Sequence, residues 1–137
     1  MPRWHLTDTV LVVDDEVDFR VSMRELLRLL GYQVSEAANG LEALRVLANE
    51  KVSILLTDLF MPRMDGIELL RHVRKSGDQV PGIIAVTGEI HLGRQTTVAA
   101  ASLLGAHVVL IKPFTKDQLL GAISVATKAA GTSPATS

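Results

Sequence analysis

The sequence contains no cysteine. That removes disulfides, thiolate nucleophiles and cysteine-ligated metal from the chemistry open to it, and a reducing cytosol fits such a composition. Charge of one sign is lacking as well: 14 Lys and Arg stand against 15 Asp and Glu, a formal net charge of −1. No basic run builds the stripe that nucleic acid demands, so direct nucleic-acid binding is not expected. No stretch of about 18 apolar residues exists to span a bilayer, and Met1-Pro2-Arg3-Trp4-His5 has no apolar signal core. No period of about 20 to 50 residues repeats, which excludes a solenoid. The expectation is a soluble cytoplasmic chain without membrane contact.

What is present is enough apolar material for one core: 137 residues, 47% of them hydrophobic, the size of a single domain. The run Ile54-Leu55-Leu56-Thr57-Asp58 is apolar, of strand length, and ends on a carboxylate. A breaker, Phe60-Met61-Pro62, and a turn dipeptide, Asp65-Gly66, follow it. This pattern predicts a buried strand with Asp58 at its carboxyl end.

The rest of the chain alternates in the same way. Val10-Leu11-Val12-Val13 is a continuous apolar run, the mark of a strand covered on both faces, and it stops at Asp14-Asp15. Phe19, Met23, Leu26, Leu27 and Leu30 recur at helical spacing up to Gly31. Tyr32 to Ala37 forms a more polar strand suited to a sheet edge. Asn39-Gly40-Leu41-Glu42 resembles a capping box, and Leu41, Leu44 and Leu47 form the stripe of the helix behind it. Asp65 and Glu68 cap a third helix, in which Ile67, Leu70 and Val73 face the core while Arg71, Arg74 and Lys75 face water. Gly82 to Thr87 is a fourth strand, Gln95 to Leu104 an alanine-rich helix, and Val108 to Ile111 a fifth strand stopped by Lys112-Pro113. Thr115-Lys116-Asp117-Gln118 opens a last helix carrying Leu119, Ile123, Ala126 and Ala130.

Five strands alternating with five helices through short connections imply an α/β fold with a parallel sheet covered on both faces. A short lead over residues 1–7, a folded unit over 8–130 and a polar tail over 131–137 complete the division. In such sheets ligands bind in the crevice beyond the carboxyl ends of the strands. Asp14, Asp15, Asp58, Thr87 and Lys112 all fall there.

Three carboxylates in one crevice repel one another: at about 4 Å and an effective dielectric near 20, each pair costs roughly 4 kcal/mol. Positive charge must offset this. A hard divalent cation, Mg²⁺ above all, suits oxygen ligands of this kind. Three carboxylates, one Mg²⁺ and the lysine sum to zero formal charge, and Thr87 adds a neutral hydroxyl. That set can receive a phosphoryl group, with an aspartate as nucleophile.

Leu11-Val12-Val13-Asp14-Asp15-Glu16, Thr57-Asp58 through Asp65-Gly66, Val86-Thr87-Gly88 and Ile111-Lys112-Pro113-Phe114, in this order, resemble the receiver domain of two-component response regulators from roughly Asp8 to Lys128. Any one of these motifs is weak evidence; four in order are specific. The resemblance implies a flavodoxin-like three-layer sandwich with strand order 2-1-3-4-5. It implies that Asp58 is the phosphoacceptor, supplied by a sensor histidine kinase or phosphotransfer protein. Asp15, Asp58 and the Phe60 carbonyl would ligate Mg²⁺ directly, with Asp14 acting through a water. Lys112 would contact a phosphoryl oxygen, and Thr87 would swing toward the phosphate. The Lys112-Pro113 bond would be cis, and a surface around the Gln95–Leu104 helix, the fifth strand and the last helix would switch between partners' binding states.

Three features depart from the family pattern. Val109 stands where an aromatic switch residue is usual, Phe60 lies beside the path of attacking water, and the span from Thr87 to Gly105 is a few residues longer than usual. Each site residue also has a plain structural reading: Asp14 and Asp15 as helix caps, Asp58 as a turn former, Lys112 as a surface lysine, His107 as a surface or partly packed residue. Two other functions compete. An aspartate-nucleophile phosphatase of the haloacid-dehalogenase type needs a second aspartate two residues after the first, where this chain has Phe60. A scaffold independent of phosphorylation would leave the acidic set without a purpose.

Overall fold

The apolar run Val10 to Val13 has no solvent exposure at all, and that burial follows from its place second in a five-stranded sheet. The computed structural model describes residues 8–61, 63–76, 80–88 and 105–131. Its strands are β1 (Thr9–Val13), β2 (Gln33–Ala37), β3 (Ile54–Asp58), β4 (Gly82–Gly88) and β5 (Val108–Lys112). All neighbours pair parallel, in the order β2-β1-β3-β4-β5. Four helices are seen among the described residues: α1 (Val17–Leu29), α2 (Gly40–Asn49), α3 (Gly66–Ser76) and α4 (Lys116–Gly131). The expected helix at Gln95 to Leu104, the Glu89 to Gly93 loop, Trp4 and residues 132–137 lie outside the described residues. No helix among the described residues is long and apolar enough to cross a membrane.

Alternation along the strands divides the core into two layers. Leu11 and Val13 of β1, Leu55 of β3 and Ile83 and Ala85 of β4 pack with Ala43 of α2 and Leu69, Leu70 and Val73 of α3. Val10, Val12, Ile54, Leu56, Ile84 and Val86 face the opposite way, onto Met23 and Leu27 of α1 and Leu119, Ala122, Ile123 and Ala126 of α4. Both faces of the central strands are covered, which is why their sequences read as unbroken apolar runs rather than alternating ones. A slip of one residue in any strand would exchange the two layers, so the register is firmly specified.

The helix ends follow their local chemistry. Gly31 takes φ 98° directly after the α1 cap, a conformation that glycine adopts without steric cost. Before α4, Thr115 and Gln118 bond reciprocally: the Thr115 backbone N–H donates to Gln118 Oε1 at 2.8 Å, and the Gln118 N–H to Thr115 Oγ1 at 3.0 Å. That is the capping box read from the sequence. At α2 the pattern differs. Asn39 Oδ1 accepts from the Glu42 N–H at 3.0 Å, but Glu42 Oε1 reaches back to the N–H of Ala38 rather than to that of Asn39. Leu41, expected in the α2 stripe, is 42% exposed. Gly40 and Ala43 hold the buried face instead, because the N-terminus of α2 is drawn onto the Met64 carbonyl, which accepts the Gly40 N–H at 2.8 Å. The last helix includes Gly131, one residue into the expected tail.

Two close approaches position the crevice. A β-carbon on Gly66 would fall on the Asp58 carbonyl oxygen, so the absence of a side chain there lets α3 begin directly over the end of β3. A β-carbon on Gly82 would meet the Ala126 carbonyl oxygen, which sets the distance between β4 and α4.

Candidate functional site

Asp14 is fully buried and held from several directions. Its backbone N–H donates to the Ala37 carbonyl at 3.1 Å, and its carbonyl accepts from Arg20 Nη1 at 2.7 Å. One carboxylate oxygen, Oδ1, accepts the Glu16 N–H at 2.9 Å, and the other, Oδ2, accepts from Lys112 Nζ at 2.8 Å. A buried carboxylate is tolerated only with partners of this kind. Asp15, next in the chain, is exposed at the crevice mouth.

Asp58 ends β3 and is 8% exposed. Its Oδ1 accepts the Phe60 N–H at 3.0 Å, and its Oδ2 lies 3.6 Å from Lys112 Nζ. Oxygens of Asp14, Asp15 and Asp58 all lie within 4.8 Å of one another. Burial, opposed by the Phe60 N–H and reinforced by the charge of Asp14, pushes the Asp58 carboxyl up from 3.8 to about 6. Lys112 moves upward too. Burial alone would lower it, but the bond to Asp14, the charges of Asp14 and Asp58 and the bond to Glu16 outweigh that effect. One ammonium among three carboxylates leaves the crevice short of positive charge; the rise of Asp58 comes first from burial, and the charges of Asp14 and Asp15 add to it.

Thr87 sits one position before the end of β4, 1% exposed. Its hydroxyl oxygen is buried and has no hydrogen-bond partner among the described residues. A buried hydroxyl left unsatisfied costs about 1–3 kcal/mol, so Thr87 is a donor available to a group entering the crevice. Lys112 ends β5, and the Lys112–Pro113 bond is cis.

The structure therefore brings Asp14, Asp15, Asp58, Thr87 and Lys112 to one end of the sheet, with the Phe60 backbone beside Asp58. Val109 is not among them. It pairs with Ala85 and packs, half-buried, on the layer formed with α2 and α3. His107 is farther away still, at the opposite end of β5: its Nδ1 accepts the Ile83 N–H at 2.8 Å while its own N–H donates to the Ile83 carbonyl at 2.9 Å. Its ring extends the β4–β5 ladder by one step and does not fill the space of the missing aromatic.

Three neighbours of the site were not legible as such. Glu16 Oε1 lies 3.2 Å from Lys112 Nζ. Phe19 places its ring under the same ammonium, 4.1 Å from the centroid. Arg20 ties Asp14 to Glu36 of the edge strand, its Nε standing 3.4 Å from Glu36 Oε1. In the sequence Phe19 reads only as part of the α1 apolar stripe, and Arg20 as its polar neighbour.

The donor set suits a hard divalent cation: oxygen ligands only and an excess of negative charge. The sequence model of the response regulator receiver domain matches residues 10–124. The response regulator MprA of Mycobacterium ulcerans is 38% identical over 111 residues, 81% of this chain and 46% of that protein; the chain thus spans about half the length of the curated relatives it matches. Among solved structures, a response regulator receiver domain protein from Clostridium thermocellum superposes with a TM-score of 0.79 at 30% identity, covering 89% of this chain and 95% of that one. The chemotaxis response regulator CheY4 of Vibrio cholerae gives 0.77 at 30% identity over 88% and 98%. Sequence, fold and the order of the acids agree, and the chain belongs to the response regulator receiver domains, signalling modules of two-component systems rather than classical enzymes.

Proposed function

We propose that this receiver accepts a phosphoryl group on Asp58 from a phosphohistidine of a sensor histidine kinase or phosphotransfer protein, and that the modification switches a partner-binding surface. The observation that carries the reading is the gathering of charge at the end of β3: the Lys112 ammonium stands 3.6 Å from Asp58 Oδ2, the carboxylates of Asp14 and Asp15 lie beside that of Asp58, and the neighbouring strand β4 carries the Thr87 hydroxyl, buried and without a partner among the described residues. The receiver unit is proposed to span 8–130. The formal net charge of the whole chain, −1, gives no electrostatic ground for nucleic-acid binding.

In the transfer an Asp58 carboxylate oxygen bonds to phosphorus as the N–P bond of the donor breaks and the imidazole departs. The Phe60 N–H holds Oδ1, which leaves Oδ2 facing the crevice as the attacking atom. Lys112 neutralises charge on the equatorial phosphoryl oxygens, and Thr87 supplies the hydroxyl bond that no described residue now accepts. Asp14, Asp15, Asp58 and the Phe60 carbonyl would hold Mg²⁺, which supplies the positive charge the crevice lacks and favours the ionised form of Asp58. With its carboxyl at about 6, Asp58 is already about nine-tenths ionised at neutral pH. Loss of the phosphoryl group by attack of water passes Phe60, whose half-buried ring restricts that approach.

Incubation with acetyl phosphate and Mg²⁺, read by intact mass, tests the proposal. One phosphoryl increment is expected on the wild type and none on Asp58→Asn or in the presence of a chelator. An unmodified wild type would reject the reading.

A further inference from the structure

We propose that Phe19 is a positioning residue for Lys112, holding its ammonium at the crevice by the face of the ring; the proposal rests on the phosphoacceptor reading above. Lys112 carries its charge on a flexible four-carbon stem, and fixing that stem requires several attractive neighbours. Three are carboxylates: Asp14 Oδ2 at 2.8 Å, Glu16 Oε1 at 3.2 Å and Asp58 Oδ2 at 3.6 Å. The Glu16 side chain is 67% exposed, so its pull is screened and directed toward solvent. Each carboxylate also repels an arriving phosphoryl group.

The fourth neighbour differs in kind. The Phe19 ring lies 4.1 Å from Nζ and attracts the cation through its quadrupole without bearing formal charge. It holds the lysine yet adds no net negative charge against the incoming anion. The ring is itself held. Phe114 meets it edge to face, with centroids 6.1 Å apart and planes at 85°, a preferred aromatic geometry. Phe114 follows Lys112 by two residues, so the aromatic pair fastens the end of β5 to α1 at the point where the lysine must stay.

The test uses the whole chain as Phe19→Leu, which keeps apolar bulk and removes the ring, and Phe19→Tyr, which keeps the ring. With Nζ 4.1 Å from the ring centroid, the ring current is expected to place the Lys112 ε-methylene protons upfield in the wild type; that shift is expected to vanish in Phe19→Leu and persist in Phe19→Tyr. The rate of acetyl phosphate modification is expected to fall about three- to tenfold in Phe19→Leu and by less than about twofold in Phe19→Tyr. An ε-methylene shift unchanged in Phe19→Leu, or a rate loss shared equally by both variants, would overturn the proposal. If the wild type itself takes no phosphoryl group, the functional reading fails, and the ring-current comparison alone then decides whether Phe19 holds Lys112.

Discussion

Replacing Asp58 by asparagine is expected to stabilise the fold in the absence of divalent metal. The carboxyl is raised from 3.8 to about 6, and at about 1.36 kcal/mol per pKa unit the burden on the folded state at neutral pH is about 3 kcal/mol at most. Two effects reduce it. Asp58 retains some solvent contact, being 8% exposed, and asparagine gives up the attraction to Lys112 Nζ at 3.6 Å. The net gain expected is about 1–2 kcal/mol. The sign follows from linkage: a carboxyl raised on folding binds its proton more tightly in the folded state, so the wild type loses relative stability as pH climbs from about 4 through about 6. Asparagine does not titrate. Urea denaturation with a chelator present should therefore show a variant advantage at about pH 7.5 that shrinks toward zero near pH 4. Added Mg²⁺ should stabilise the wild type more than the variant and narrow the gap. A variant no more stable than the wild type at pH 7.5, or a gap that widens on acidification, would refute the reasoning.

Gly66→Ala should cost about 1–3 kcal/mol by thermal denaturation, because the new methyl falls on the Asp58 carbonyl oxygen and α3 has to withdraw; it should also slow phosphoryl acceptance, since Asp58 moves with its backbone. His107 is lowered from its ordinary value by burial, and its Nδ1 can accept the Ile83 N–H only while unprotonated. His107 is exposed, so the resulting contribution is small; it is complete above about pH 6.5 and is lost as pH falls through that value toward the lower folded-state one. The protection factor of the Ile83 amide against hydrogen exchange should fall accordingly, and His107→Ala should abolish that pH-dependent change in protection. Phe60→Asn should shorten the lifetime of the phosphorylated protein in a chase experiment; an unchanged lifetime would remove Phe60 from the path of water.

Much of this was legible in the sequence because burial on both faces leaves a strong trace. Val10 to Val13 and Ile54 to Asp58 read as covered strands, the first followed by an acid and the second ending on one, so a parallel sheet puts Asp14 and Asp58 at the same end. Thr115 and Gln118 are local partners and were readable as such. Leu41 was misread because helical spacing says which residues share a face but not where the neighbouring loop fixes that face. The ring of Phe19 under Lys112 was hidden for a related reason: its spacing in α1 is that of a core residue, and no periodic signal links it to a strand end so far along the chain. Glu16 was part of a motif without a role, since only coordinates show its carboxylate turned toward the lysine.

The central claim is that one acid among three in the crevice is the acceptor. Borohydride reduction after exposure to acetyl phosphate and Mg²⁺, followed by peptide mapping, reads this directly, because an acyl phosphate is reduced to an alcohol and a free carboxylate is not. The account predicts reduction at Asp58 alone, lost when Mg²⁺ is withheld. Reduction at Asp14 or Asp15, or at no position in a folded protein, would contradict it.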